Sequence, residues 1–202
     1  MVGTICPVGD GKRRTSQRFV DALCFFAACV LGGVTLGALF GSLGEFAIAP
    51  LFNDVVLASA VSAFAALAML ADFGVIRVPL SPFPRQVESI SWERYSRPVV
   101  ATRWGFEQGL GLLTHVHWSG FYLAIVLTIV LGLPLGLIVM GSYAAIRGAQ
   151  PLVLLLLANI GNNSTDFFDE FSRAYPTFAL PRMASLAAVA AVPLAIQLGN
   201  VA

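Results

Sequence analysis

Residues 104–146 read WGFEQGLGLLTHVHWSGFYLAIVLTIVLGLPLGLIVMGSYAAI and combine a polar cluster with a long apolar run. The apolar part, residues 119–146, is long enough to cross ~30 Å of hydrocarbon as a helix. The polar part contains both histidines of the chain, His115 and His117. A bilayer core offers no water to such groups, so each must face protein, trapped water or a ligand. This stretch therefore predicts a helical membrane protein with polar groups at membrane depth.

The composition of the whole chain supports the same class. Apolar residues make up 57% of the 202 residues and charged residues only 11%, whereas soluble domains usually carry about 25% charged residues. The net charge of +1 gives no global attraction to nucleic acid. We therefore expect the lipid bilayer as the main partner, together with other membrane protein chains.

The N-terminal residues 1–18 form a basic tail ahead of the first apolar run. Its bases are Lys12, Arg13, Arg14 and Arg18. The run that follows, residues 19–43, is longer than the ~7–15 residues of a signal-peptide core, so an uncleaved helix is expected. The positive flank predicts a cytoplasmic N-terminus in the inner (plasma) membrane.

The remaining chain, residues 19–202, is predicted to be a single all-α, multi-pass transmembrane domain of five or six helices. The predicted helices after the first are residues 51–75, 99–117, 119–146, a short segment at 150–161, and 180–201. The short segment decides between five and six, because about 11 apolar residues are few for a span. A loop at residues 77–103 contains five arginines and four prolines, so it is assigned to the cytoplasmic side. Arg147 is expected to end the fourth helix on that side.

Small residues predict where the helices pack. Gly33, Gly37 and Gly41 repeat every four residues, which leaves one face of the first helix open to a close neighbour. Ala58, Ser62 and Ala66 have the same spacing in the second helix. Gly132 and Gly136 flank Pro134 in the fourth helix, where we predict a kink.

Five polar residues near the third helix are the candidate ligand-binding or coupling positions. They are Glu107, Gln108, Thr114, His115 and His117, with Asp72 as a secondary candidate. Arg103, one turn from Glu107, is its simplest ion-pair partner. The two histidines point roughly 200° apart if the segment is helical, so they can be interfacial turn residues, metal or haem ligands, or hydrogen-bond partners of a proton pathway or a quinone. No catalytic residue or metal site is assigned, and the cofactor is unknown.

Three short stretches resemble a known group of bacterial proteins. Residues 84–87 (PRQV), followed by residues 105–111 (GFEQGLG) and 114–116 (THV), resemble small actinobacterial-type membrane proteins that are distantly similar to the CcdA/DsbD transmembrane family. The resemblance implies a helical scaffold that passes thiol electrons across a membrane. That chemistry requires a cysteine pair with one member in each half, and here the three cysteines all lie at or before Cys29. Thiol relay is therefore not carried over to this chain.

Three classes of function remain. The sequence contains no GxSxG, HExxH, Walker A or GxGxxG motif, which favours a non-enzymatic protein. The first hypothesis is a carrier or an accessory subunit of a membrane redox or transport complex. The second is a small-solute-binding module that works with a partner ATPase. The third is a membrane oxidoreductase with haem, quinone or metal near His115 and His117.

Overall fold

The computed structural model describes residues 15–73, 75–76, 95–111 and 119–160, and the following account concerns these residues. The helices are α1 (Thr15–Leu43), extended by a π-helical segment (Gly44–Ile48), then α2 (Asp54–Asp72), α3 (Arg97–Leu110), α4 (Gly120–Gly148) and α5 (Gln150–Ile160). No strand occurs in these ranges, so the all-α class is confirmed for them. Three stretches, Ser16–Ile48, Asp54–Ala71 and Gly120–Val153, are long and apolar enough to cross a membrane.

The helix α1 is central, and its glycine face packs directly against the backbone of α4. A Cβ atom added to Gly37 would lie 2.6 Å from the carbonyl oxygen of Gly136, and one added to Gly41 would lie 2.8 Å from the Cα atom of Leu133. A Cβ at Gly33 would lie 2.3 Å from that of Ala144. Residue numbers fall along α4 as they rise along α1, so these two segments are antiparallel. Their backbones come into contact because the glycines have no side chains to hold them apart.

A second face of α1 packs against α3 in the parallel direction. A Cβ at Gly105 would lie 2.2 Å from the carbonyl oxygen of Phe25, and one at Gly109 would lie 2.1 Å from that of Cys29. The two contacts are four residues apart on both helices. The α3 helix therefore runs beside the N-terminal half of α1, and Trp104 is buried between them.

The helix α4 is folded back on itself at Gly132, where the backbone has φ 75° and ψ −173°. The rings of Phe121 and Tyr143 lie 5.5 Å apart, although a straight helix would separate these residues by about 33 Å. The Thr128 methyl group likewise packs 2.7 Å from a Cβ built on Gly136. Residues 120–131 and 133–148 are therefore two antiparallel arms, called here the first arm and the second arm. A single kinked crossing over residues 119–146 was the wrong prediction.

The second arm continues into α5 almost without interruption. Ala149 is in the right-handed helical conformation, its N–H donates to the Ala145 carbonyl, and its own carbonyl accepts from Val153 N–H, both at 2.9 Å. Leu155 then packs on Ala22 near the start of α1. Residues 133–160 thus form one helical path of about 42 Å. The short segment that begins at Gln150 continues this path beyond α4. Arg147 is in the last turn of α4, so its predicted position at the end of the fourth helix is confirmed.

The helix α2 packs on the first arm of α4 through Val61, Ala65 and Leu123. The Ser119 hydroxyl also donates to the Ala68 carbonyl at 3.1 Å. The face of α2 that packs is rotated from the predicted face of Ala58, Ser62 and Ala66, because Ala66 is exposed while Ala65 is fully buried. The larger side chain of Val61 contributes to the contact, which a search for small residues alone overlooks.

The helix α3 is shorter than predicted at its C-terminal end. It ends at Leu110, and Gly111 follows with φ 64° in the left-handed conformation that commonly terminates helices. The ring of Phe121 packs 2.2 Å from where a Gly111 Cβ would stand. A continuous helix as far as His117 was therefore the wrong prediction. At the other end, residues 97–103 belong to α3 and not to the preceding loop, just as residues 15–18 belong to α1 and not to the tail.

Candidate functional site

A polar contact between helices joins Gln108 of α3 to Arg147 of α4. In the amide orientation that satisfies both groups, the Gln108 carbonyl oxygen accepts from Arg147 Nε at 2.7 Å and from Nη2 at 3.1 Å. Nε and Nη2 form one edge of the planar guanidinium, the edge that binds carboxylates in a forked geometry elsewhere. Here one neutral oxygen takes both donors.

Two further groups of this region lie on the second arm and on α1. The Tyr143 hydroxyl, one turn before Arg147, is within hydrogen-bonding reach of its guanidinium. On α1, the fully buried Cys29 thiol donates to the Ala144 carbonyl at 3.3 Å. Gly148 packs against Cys29, because a Cβ added there would lie 2.9 Å from the cysteine Cβ. We call Gln108, Tyr143 and Arg147 the arginine cluster.

Arg147 of the arginine cluster lies near the middle of the helical path formed by residues 133–160. Arg147 is about 20 Å along the helix axis from each end of residues 133–160. Its neighbour Cys29 is likewise well inside the apolar stretch Ser16–Ile48. An arginine in the interior of a membrane-spanning helix generally costs a few kcal/mol of insertion free energy or more, and in membrane proteins such side chains usually face the interior of a bundle and mark a pathway or binding site. Pro151 adds a local irregularity, because it has no N–H to donate to the Arg147 carbonyl.

Glu107 is engaged one residue before Gln108, in the ion pair expected from its spacing to Arg103. Arg103 Nε and Glu107 Oε1 are 2.9 Å apart. The side chain of Arg103 is 63% exposed and that of Glu107 is 28% exposed, so in water this pair would add at most about 1 kcal/mol.

A second polar feature lies at the opposite end of the second arm, where α4 folds. Glu45, in the π-helical segment, accepts a hydrogen bond from the Leu133 backbone N–H through Oε2 at 3.1 Å. Leu133 is the first residue of the second arm, so Glu45 provides an N-terminal cap from another part of the chain. A carboxylate here is also favoured by the positive end of the helix dipole.

The predicted site residues are only partly among the described ones. Gln108 is in the arginine cluster and Glu107 is in the adjacent ion pair. Thr114, His115 and His117 lie outside the described residues, and Asp72 is described only as the last residue of α2. In the parts of the chain that the structure does describe, no three His, Cys, Asp or Glu side chains come together as metal ligands would.

Sequence reasoning missed Arg147 and Tyr143. Arg147 is followed by Gly148, Gln150 and Pro151, which together are typical of a helix end. The sequence feature that points to Arg147 is the segment after it, because residues 152–158 are all apolar and extend the apolar stretch beyond the arginine. Reading residues 133–160 as one span would have put the arginine at its centre.

The chain matches no protein-family model, no curated protein and no solved structure.

Proposed function

We propose that this protein is a non-enzymatic, multi-pass carrier that binds a small solute inside its helical bundle. The observation that carries the proposal is the arginine cluster, in which Arg147 contacts α3 at a point about 20 Å from either end of residues 133–160, a position that we assign to the middle of the membrane. Ionisable groups in that position in membrane proteins are commonly part of a substrate or ion pathway. The proposed location is the inner (plasma) membrane of a bacterium.

The folded α4 supports a carrier over a passive anchor. Many transporters bind substrates beside discontinuous helices, whose free ends and irregular backbone supply polar groups at membrane depth. Here Gly132 breaks α4 and Gly111 ends α3, and both breaks pack against other helices. Irregular backbone is tolerated in a membrane where protein or a water-filled cavity covers it.

The proposed topology follows from the directions of the helices. With the N-terminus in the cytoplasm, α1 crosses outward and α2 returns. The third crossing combines α3 with the first arm, and the fourth combines the second arm with α5. A final helix at residues 180–201, outside the described residues, makes a fifth.

An accessory-subunit role is the second candidate, and one observation favours it. Of the three membrane-length stretches, the one in α2 is the least covered by the rest of the described structure. Its exposed side includes Ser59, Ala63 and Ala66, whose small side chains permit close approach of another helix. A partner chain on this face would make the protein part of a larger complex.

The proposed function is tested by native mass spectrometry of protein extracted in mild detergent from its own host. We expect the wild-type chain to retain a stoichiometric small molecule, and Arg147→Gln to lose it. Arg103→Gln is the matched control, because it removes the same charge from an exposed position of the bundle, and it should retain the ligand. A wild-type chain with no small molecule but with a stoichiometric protein partner would refute the carrier and support the accessory subunit.

A further inference from the structure

The guanidinium of Arg147 is presented to its partner in a geometry suited to an oxyanion. Nε and Nη2 both point at the Gln108 carbonyl oxygen, at 2.7 Å and 3.1 Å. These two donors form the flat edge that pairs with the two oxygens of a carboxylate or phosphate. The amide oxygen occupies the position of one such oxygen.

We propose that the arginine cluster binds the carboxylate or phosphate group of a soluble solute, which displaces the Gln108 carbonyl from the edge of Arg147. The assignment names the substrate class of the proposed carrier and rests on that function. Hydrogen bonds from arginine to an ionised acceptor are about twice as strong as those to a neutral one. Replacing the neutral Gln108 carbonyl with an oxyanion therefore strengthens the hydrogen bonds of Arg147, and the effect is larger in an environment of low polarity.

Tyr143 adds a third donor to the same site. Its hydroxyl lies one turn before Arg147 on the second arm, within reach of the guanidinium. A displaced Gln108 amide can turn its NH2 group toward the incoming anion, because an amide carries both donors and an acceptor. The cluster can therefore surround an oxyanion with Arg147, Tyr143 and Gln108.

The depth of the cluster favours a soluble solute over a lipid headgroup as the source of the oxyanion. Arg147 is about 20 Å from either end of its helical path, whereas headgroups lie at the edges of an apolar layer ~30 Å thick. A headgroup would have to descend most of the way to the bilayer centre. A small carboxylate or phosphate that enters the bundle does not carry acyl chains with it.

The decisive variant is Gln108→Glu, which supplies a carboxylate from within the protein. The new carboxylate should occupy the edge of Arg147, raise the thermal midpoint and weaken binding of an added anion by about tenfold or more. The matched control is Gln17→Glu, the same chemical change at an exposed position near the start of α1, and it should bind as the wild type does. Arg147→Lys keeps the charge but loses the fork, and should also weaken binding by about tenfold.

The measurement is calorimetric titration with acetate and with inorganic phosphate, using protein in phosphatidylcholine nanodiscs. A second set of discs containing phosphatidylglycerol tests the lipid source. Binding of acetate or phosphate that Gln108→Glu and Arg147→Lys both weaken would support the proposal. Equal binding by wild type and Gln108→Glu would overturn it, and a response to phosphatidylglycerol alone would overturn the solute assignment in favour of a headgroup.

The two measurements together distinguish failure of the oxyanion site from failure of the proposed carrier function. A neutral or cationic molecule retained by the wild-type chain, with no anion binding, would leave the carrier standing and refute the oxyanion site. Anion binding in nanodiscs, together with no solute retained from the host, would support the oxyanion site and refute the carrier.

Discussion

Gly132 has backbone angles that only glycine adopts without strain, and the architecture of α4 depends on them. With φ 75° and ψ −173°, a Cβ atom would clash with its own backbone, although the space beside it is open except for Glu45 at 3.6 Å. The restriction is therefore conformational and not steric crowding from neighbours. This one residue allows the two arms to lie side by side.

Replacing Gly132 with alanine should destabilise the protein by about 1–3 kcal/mol, because the backbone must keep a strained conformation or unfold the hairpin. Gly141→Ala is the control on the same helix, since its Cβ would meet only the Val34 methyl at 3.3 Å and alanine favours helix. Thermal unfolding in detergent measures both. Equal midpoints for the two variants would contradict the strain argument.

Glu45 should stabilise the fold through its hydrogen bond to Leu133 N–H. We expect Glu45→Ala to cost about 0.5–2 kcal/mol, as loss of a helix cap does. Glu45→Gln keeps an oxygen acceptor and should cost less, the difference reporting the interaction of the charge with the helix dipole. The order of the thermal midpoints, wild type above Glu45→Gln above Glu45→Ala, is the test, and a reversed order would refute the cap.

At the scale of helices, the contact between α1 and α4 is a backbone contact. The carbonyl oxygen of Gly136 lies 2.6 Å from where a Cβ of Gly37 would be. An added methyl group would therefore have to displace the backbone of α4, since no flexible side chain is there to move aside. Overpacking of this kind typically costs about 1–3 kcal/mol.

Gly37→Ala should therefore lower the thermal midpoint of the purified protein. Thr35→Ala is the control on the exposed side of α1, where the hydroxyl only returns to the Leu31 carbonyl, and it should leave the midpoint nearly unchanged. A destabilisation of the same size in both variants would show that the glycine face is not special.

The sequence predicts α1 and α2 well because both are continuous apolar stretches, and the structure has them as Thr15–Leu43 and Asp54–Asp72. It predicts α4 poorly because hydropathy does not distinguish a straight span from two arms that fold at Gly132. Gly132 and Gly136, two residues on either side of Pro134, indicated a bend, but the size of the bend depends on a φ angle that no composition rule supplies. Only part of the site was predicted from the sequence. Gln108 was predicted because it is a polar residue near an apolar run, whereas Arg147 was assigned only to a helix end because Gly148, Gln150 and Pro151 follow it.

At the scale of the whole molecule, the directions of the helices make the proposed orientation testable. Cys6 should react with a membrane-impermeant maleimide only from the cytoplasmic side. A cysteine at Phe52, which is exposed between the π-helical segment and α2, should react only from outside. Each cysteine is placed in a chain whose other cysteines have been replaced. Reaction of both from one side would refute a crossing by α1.

The fold of α4 brings Arg147 beside Gln108, so this fold is the central claim about the architecture. The most direct test is a pulsed electron-spin distance measurement between nitroxide labels at Tyr122 and Ser142, in a chain without its native cysteines. These positions lie on opposite arms, and Ser142 is exposed. The folded α4 predicts a distance distribution centred below about 20 Å, whereas a continuous α4 would separate the labelled residues by about 30 Å and would contradict the account.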